Sequence, residues 1–241
     1  MLEEGRYARQ VLVSQIGEEG QRKLAESKVA VVGCGGLGSP VLTYLALAGV
    51  GRIRLVDCDT VSITNLNRQF LYETSDVDKD KSDAAFEFLK KRNPEIILES
   101  VSEILTEDNA IQLLEDVDVV IDCVDSDVVR RIVGKACREL DTVYVEGGIQ
   151  GFYGYVLPVL PGKTACLSCI ERQNKKEMTP VPAIGAVAGV IGSLQVIECL
   201  KILLQTGNVH YGVMQQYDGL YGEFDEIPVK VWQECRCQKR L

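Results

Sequence analysis

The sequence predicts an α/β fold with a mainly parallel sheet, extended at its C-terminal side by antiparallel strands. Short β-branched runs such as KVAVVG (Lys28–Gly33) and DVDVVIDCV (Asp116–Val124) read as strands buried on both faces. Helical segments alternate with such runs up to residue 148, the signature of parallel strands joined by crossovers. After Gly151 the alternation stops and β-like pieces gather around one long apolar helix.

In chain order, Tyr7 to Ala25 reads as a helix with a mixed face, and Lys28–Gly33 as the first strand. A glycine-rich turn leads into a helix over Ser39–Ala48, followed by the strand RIRLVD (Arg52–Asp57). A charged helix near Lys79–Arg92 stops at Asn93-Pro94, because the residue before proline disfavours helical geometry. Ile96–Val101 reads as a strand, Ile104–Leu114 as a short helix, Asp116–Val124 as a central strand, Ser126–Glu139 as a helix and Thr142–Gly148 as a strand. Residues 151–160 read as a strand pair element, Glu171–Pro182 as an exposed loop and Ala183–Leu204 as a long helix. Three β-like pieces close the chain: Val209–Tyr217, Gly222–Ile227 and Val229–Trp232. The reading is one domain over 1–241. Residues 1–150 form a nucleotide-binding half, and 151–241 supply a crossover loop, the long helix and substrate-side strands.

With 241 residues, 46% of them hydrophobic, the chain can bury one large core. A formal net charge of -9 argues against a nucleic-acid partner and against an anionic membrane surface. The apolar run Val181–Leu194 is short and is followed by Gln195, Glu198 and Lys201, which reads as a buried helix rather than a membrane span. The N-terminus has no apolar signal-peptide core. Nine cysteines without a secretory signal read as free thiols plus one metal site in a cytoplasmic protein.

The segment VVGCGGLGS sets Gly33, Gly35, Gly36 and Gly38 between a strand and a helix. Glycines there let the backbone turn and approach a phosphate at the helix N-terminus. Asp57 ends the second strand, where a carboxylate accepts from ribose hydroxyls. This is the pattern of a Rossmann-like nucleotide site. Downstream, Asn65, Arg68 and Gln69 lie beside the phosphate end of that pocket, Lys81 opens the next helix and Asp125 follows the fourth strand. Two cations and a carboxylate suit a triphosphate with Mg²⁺ better than a dinucleotide. Taken singly, Arg68 and Lys81 also read as surface charge, and Asp125 as a helix cap.

Those residues sit in segments that resemble the MoeB/ThiF/HesA family, relatives of the adenylation domains of ubiquitin-activating enzymes. The segments are RYARQ (Arg6–Gln10), GCGGLGS (Gly33–Ser39), AGVGRIRLVDCDTV (Ala48–Val61), NLNRQ (Asn65–Gln69), DKDKSDAA (Asp78–Ala85), DCVDS (Asp122–Ser126), CLSC (Cys166–Cys169) and GVIGSLQVIECLK (Gly189–Lys201). The resemblance implies a homodimer that binds ATP in each crevice. Arg9 would reach the phosphates from the partner subunit. Gly36 would cradle the nucleotide and Asp57 the ribose. Asn65, Arg68 and Lys81 would hold the triphosphate, and Asp125 Mg²⁺. The implied reaction is adenylation of the C-terminal glycine of a small ubiquitin-like or sulfur-carrier protein, with release of pyrophosphate.

Cys166, Cys169, Cys235 and Cys237 offer a four-thiolate set for a structural zinc, with a CxC pair where relatives have CxxC. The loop from Glu171 to Ile184 carries no cysteine for a thioester step, so adenylation alone is expected. That absence keeps a second reading open, adenylation of a small-molecule carboxylate in cofactor biosynthesis. A third, an NAD(P)-dependent oxidoreductase, explains only the glycine loop and Asp57. A non-catalytic adaptor would have no use for Arg9, Arg68, Lys81 and Asp125 together. His210 reads as a surface or half-buried residue. Cys34, Cys58, Cys123, Cys137 and Cys199 read as small core groups, and Trp232 with the tyrosines from Tyr211 to Tyr221 as tail packing.

Overall fold

The computed structural model describes residues 5–170, 181–232 and 235. Its elements are α1 (Ala8–Val11), α2 (Gly17–Glu26), β1 (Lys28–Val32), α3 (Gly38–Ala48), β2 (Arg52–Val56), α4 (Lys81–Arg92), β3 (Ile97–Val101), α5 (Ala110–Leu114), β4 (Val119–Asp122) and α6 (Asp127–Glu139). There follow β5 (Val143–Gln150), β6 (Tyr153–Val159), α7 (Leu167–Ile170), α8 (Gly185–Leu204), β7 (Val213–Asp218) and β8 (Glu223–Pro228). One eight-stranded sheet runs β3-β2-β1-β4-β5-β6-β7-β8. The first five strands are parallel; β6, β7 and β8 add antiparallel. The order reverses between β1 and β4, and an open α/β sheet forms its ligand crevice at such a reversal, beyond the carboxyl ends of the strands.

Alternate residues of β1 feed opposite faces. Val29 and Val31 pack with α3, α4 and α8 on one side, whereas Ala30 and Val32 pack with α5 and α6 on the other. Both faces are covered, which is why these strands are nearly uninterrupted apolar runs. Within β4, Asp122 is fully buried all the same. Burial lifts its carboxyl, and the Arg130 guanidinium 3.5 Å away opposes the shift.

Several sequence expectations are corrected. The helix expected over Tyr7–Ala25 is two helices, parted by a turn over residues 12–16 that ends where Gly17, the first residue of α2, takes a left-handed conformation (φ 57°). The helix expected from Ile104 starts at Ala110. The Asn109 side chain accepts from Thr106 N and donates to the Ile104 carbonyl, holding the preceding stretch as a turn. Val229–Trp232 forms no strand; after Val229 N bonds the Gly212 carbonyl, the chain leaves the edge and Trp232 packs on the second core cluster. Cys58 is exposed rather than core, since β2 ends at Val56 and the chain turns out of the sheet. Tyr221 is 76% exposed rather than packed, although Tyr217 stacks on Phe224 at 4.6 Å. The expected loop Glu171–Pro182 falls mostly outside the described residues. Among the described residues α8 alone is long and apolar enough to cross a membrane, and half of it is buried in the fold.

Candidate active site

The glycine turn between β1 and α3 is shaped by two close approaches. Gly33 has φ 96°, and a Cβ on it would meet the Cys123 carbonyl oxygen at 2.8 Å. A Cβ on Gly38 would lie 2.1 Å from the Gly33 carbonyl oxygen. Only glycine fits at these positions, so the turn folds back tightly onto β4. Helix α3 has no side-chain cap at its N-terminus. Among the described residues, the amides of Gly35, Gly36 and Leu37 donate to no backbone carbonyl. Free amides at a helix N-terminus suit an anion.

Asp57 ties this turn to the end of β2. Its carboxylate accepts from Cys34 N at 2.6 Å and from Asp59 N at 2.9 Å. Burial raises its pKa, and the Lys81 charge and the two amide bonds pull against that rise. A carboxylate has about four acceptor sites, so two amide bonds leave room for a ribose diol.

The segment after β2 wraps the other side of the turn. Tyr72 Oη donates to the Cys34 carbonyl at 2.8 Å and to the Lys81 carbonyl at 3.2 Å, joining the turn to the start of α4. Arg68 and Gln69 then lie over consecutive glycines. The Arg68 methylenes are 3.7 Å from the Cβ position of Gly36, and Gln69 Nε2 is 3.4 Å from that of Gly35. The Arg68 guanidinium donates to the Thr64 carbonyl and to Asn67 Oδ1, both at 3.0 Å, through a single nitrogen. Asn65 caps its own turn, its Oδ1 accepting from Ser62 N at 3.0 Å. Lys81 is buried at the start of α4, with Nζ 2.7 Å from Asp59 Oδ2.

Asp125 stands exposed just beyond β4 and makes no hydrogen bond or ion pair among the described residues. Its turn is fixed from behind. Asp122 Oδ1 accepts from Val124 N at 3.0 Å. Arg130 donates to the Val124 carbonyl, to the Gly147 carbonyl at 3.0 Å and to Tyr155 Oη. Arg130 also faces Glu146 at 3.6 Å. Sequence reasoning missed this buried cluster. The available signal was a charged residue, Asp122, inside an apolar strand, with Arg130 on the helix that follows.

The structure therefore brings Gly33, Gly35, Gly36, Gly38, Asp57, Asn65, Arg68, Lys81 and Asp125 to one end of the sheet. It does not bring Arg9 there. Gln10 Nε2 donates to the Ala48 carbonyl at 2.8 Å, and Tyr7 Oη accepts from Asn93 Nδ2 at 2.8 Å. Those contacts hold α1 at the far end of α3, whose eleven residues span roughly 16 Å.

The sulfurs of Cys166, Cys169 and Cys235 all lie within 4.8 Å of one another, at 4.0 Å for Cys166–Cys169 and 3.7 Å for Cys166–Cys235. A tetrahedral zinc with bonds of about 2.3 Å separates its sulfurs by about 3.8 Å, so these three thiols fit the metal. The fourth expected ligand, Cys237, lies outside the described residues. None of the described cysteines forms a disulfide.

Comparison with known proteins follows the same lines. Structures of MccB from E. coli superpose with a TM-score of 0.87 at 23% identity, covering 99% of this chain and 76% of that one, in a complex with MccA-N7isoASN. A complex with ATP gives 0.86 at 24% identity, covering 98% and 75%. This likeness is one of fold. Among curated proteins, the sulfur carrier protein adenylyltransferase of Thermus thermophilus is 38% identical over 235 residues, 93% of this chain and 87% of its own. The sulfur carrier protein ThiS adenylyltransferase of Escherichia coli is 34% identical over 229 residues, 93% and 91%. The adenylyltransferase and sulfurtransferase MOCS3 of Culex quinquefasciatus is 36% identical over 230 residues, and this chain spans 52% of its length. The ThiF family matches residues 7–238, nearly the whole sequence, and the chain belongs to that family.

Proposed function

We propose that this chain is an ATP-dependent adenylyltransferase whose substrate is the C-terminal glycine carboxylate of a small ubiquitin-like carrier protein. The observation that carries the reading is the convergence of Arg68, Lys81 and Asp57 on the uncapped N-terminus of α3. Cationic and dipolar groups around one anion site suit a triphosphate, and relatives named as sulfur carrier adenylyltransferases favour this chemistry over hydride transfer.

The carboxylate attacks the α-phosphorus in line, a P–O bond forms, and the bond to the departing pyrophosphate breaks. No enzyme nucleophile takes part, so positioning and charge stabilisation carry the rate. The free amides of Gly35 and Gly36 receive the phosphate chain, Asp57 orients the ribose, and Arg68 and Lys81 balance the charge that develops on pyrophosphate. Asn65 keeps its amide nitrogen for the same chain while its oxygen caps the turn. Asp125, an exposed carboxylate at the mouth, would hold a divalent cation such as Mg²⁺, which when bound would supply positive charge for the phosphate oxygens.

Arg9 completes the site from a second copy in a homodimer. Its distance from its own loop supports this, as do the exposed apolar residues Leu12 and Val13 on the turn after α1, Tyr44 and Leu47 on α3, and Ile197 on α8. Cys166, Cys169 and Cys235 would hold a structural zinc, and Cys237, outside the described residues, is the fourth ligand expected from the sequence. Buried cysteines that form no disulfide among the described residues suit the reducing cytoplasm. The test is ATP–pyrophosphate exchange with a carrier ending in Gly-Gly, the same carrier without its tail, and a set of small carboxylic acids. Exchange that needs the intact tail supports the reading; exchange with a small acid alone transfers the assignment to metabolite activation.

A further inference from the structure

Gln69 is 4% exposed, yet its side-chain amide makes no hydrogen bond among the described residues. Its Oε1 is buried without a hydrogen-bond partner. Its Nε2 faces the glycine turn, 3.4 Å from the Cβ position of Gly35. Buried polar groups are almost always paired, and an orphan costs the folded protein the desolvation of that group. Leucine would fill the same space without that cost. The donor that bears on the crevice is Nε2: it makes no hydrogen bond among the described residues and stands beside the amides of Gly35, Gly36 and Leu37, which donate to no backbone carbonyl there, so it is available to an acceptor that enters the crevice. The backbone fixes its place firmly, since Gln69 N donates to the Asn65 carbonyl at 3.0 Å and the Gln69 carbonyl accepts from Tyr72 N at 3.2 Å.

We infer that Gln69 contacts the nucleotide directly, its Nε2 donating to the phosphate group seated on the Gly35 and Gly36 amides. The inference rests on the nucleotide reading of this crevice. Arg68 and Gln69 then divide the turn between them: Arg68 supplies charge over Gly36, and Gln69 supplies a neutral, directional donor over Gly35. A neutral donor in a buried position fixes where the phosphate sits without adding charge that must be desolvated.

The test uses full-length protein carrying Gln69→Leu or Gln69→Glu, with Mg·ATP binding measured by calorimetry and melting measured without nucleotide. Loss of a hydrogen bond to a charged group weakens binding by roughly 10- to 100-fold. Gln69→Leu is expected to bind Mg·ATP that much more weakly and to melt at or above the wild-type temperature. Gln69→Glu places a carboxylate against the phosphate and is expected to bind more weakly than Gln69→Leu. Wild-type affinity in Gln69→Leu overturns the inference. So does equal weakening by the two variants, which marks a packing role. A wild-type protein that fails to bind Mg·ATP overturns the nucleotide reading itself, and is distinguished by that control.

Discussion

Lys81 and Asp59 form an unequal pair: Nζ and Oδ2 are 2.7 Å apart, but the lysine side chain is 7% exposed and the aspartate 65%. The cation is held in place by burial, while its partner is free to return to water. An arriving triphosphate can therefore take over the Lys81 ammonium without leaving Asp59 stranded. Lys81→Met is expected to lower pyrophosphate exchange by roughly 10²–10³-fold, the usual loss for one well-placed electrostatic group. Circular dichroism should show the variant still folded. Exchange at the wild-type rate would remove Lys81 from the site.

The glycines of the turn separate a folding role from a binding role. A methyl on Gly38 collides with the Gly33 carbonyl at 2.1 Å, and backbone cannot yield cheaply. Gly38→Ala is expected to cost about 3 kcal/mol or more in chemical denaturation. A methyl on Gly36 finds its nearest neighbours, Ala188 and Arg68, at 3.7 Å. Gly36→Ala should keep wild-type stability within about 0.5 kcal/mol. It should still lose ATP affinity, because the methyl stands where a phosphate must approach the backbone. An equal effect of both changes on stability would contradict this division.

How far these features were legible in the sequence follows from what each depends on. The glycines and Asp57 declared themselves because spacing between a strand and a helix is local information. The parallel order of the first five strands followed from alternation of β-branched runs and helices. Other features depend on distant atoms. Lys81 is expected at the triphosphate and, taken singly, also reads as surface charge; only tertiary packing shows it buried against the segment after β2. The Arg130 cluster joins β4, β5, β6 and α6, which no local window contains. The orphaned oxygen of Gln69 is likewise a property of the folded interior. The start of α5 was misplaced because the Asn109 side chain competes for the preceding backbone, an outcome that apolar periodicity does not report.

Complementation tests the reach of Arg9. If Arg9 serves the other subunit of a symmetric dimer, a variant lacking Arg9 and one lacking Lys81 are each inactive. Mixed dimers then contain one site with both residues intact. Random exchange makes half of the dimers mixed, so an equimolar mixture of Arg9→Ala and Lys81→Met should regain about a quarter of wild-type exchange. No recovery after demonstrated subunit exchange would place Arg9 outside the reaction.

The three described thiols of the cysteine cluster make a metal-removal experiment decisive. Purified protein is expected to contain one zinc per chain. Chelation should lower the melting temperature, because metal bound only by the folded state contributes directly to stability. Cys166→Ser, at the thiol that lies near both others, should abolish zinc retention. Protein without metal that melts at the same temperature as protein loaded with zinc would leave these residues as ordinary buried thiols.

Acid stability should depend on Glu99, which bridges two cations across the β2–β3 edge. Its Oε1 accepts from Arg52 Nε at 2.6 Å, and its Oε2 accepts from Arg54 Nε at 2.9 Å. Arg54 also donates to the Leu113 and Glu115 carbonyls at 2.9 and 3.0 Å, so the same residue anchors the end of α5. Partial burial of Glu99 raises its pKa, but the two arginines outweigh that and hold it below the ordinary glutamate value. The sign follows from the folded state holding this carboxylate more tightly ionised than the unfolded chain does. The stabilisation is full above the unfolded glutamate pKa of about 4.3 and is lost as pH falls through the lower folded value. A partly buried, bidentate pair of this kind contributes about 1 kcal/mol. Glu99→Gln should therefore be less stable than wild type by about that amount at neutral pH, and the difference should close in strongly acidic solution. A difference that stays constant through the acid range would mean that the arginines hold Glu99 by shape and not by charge.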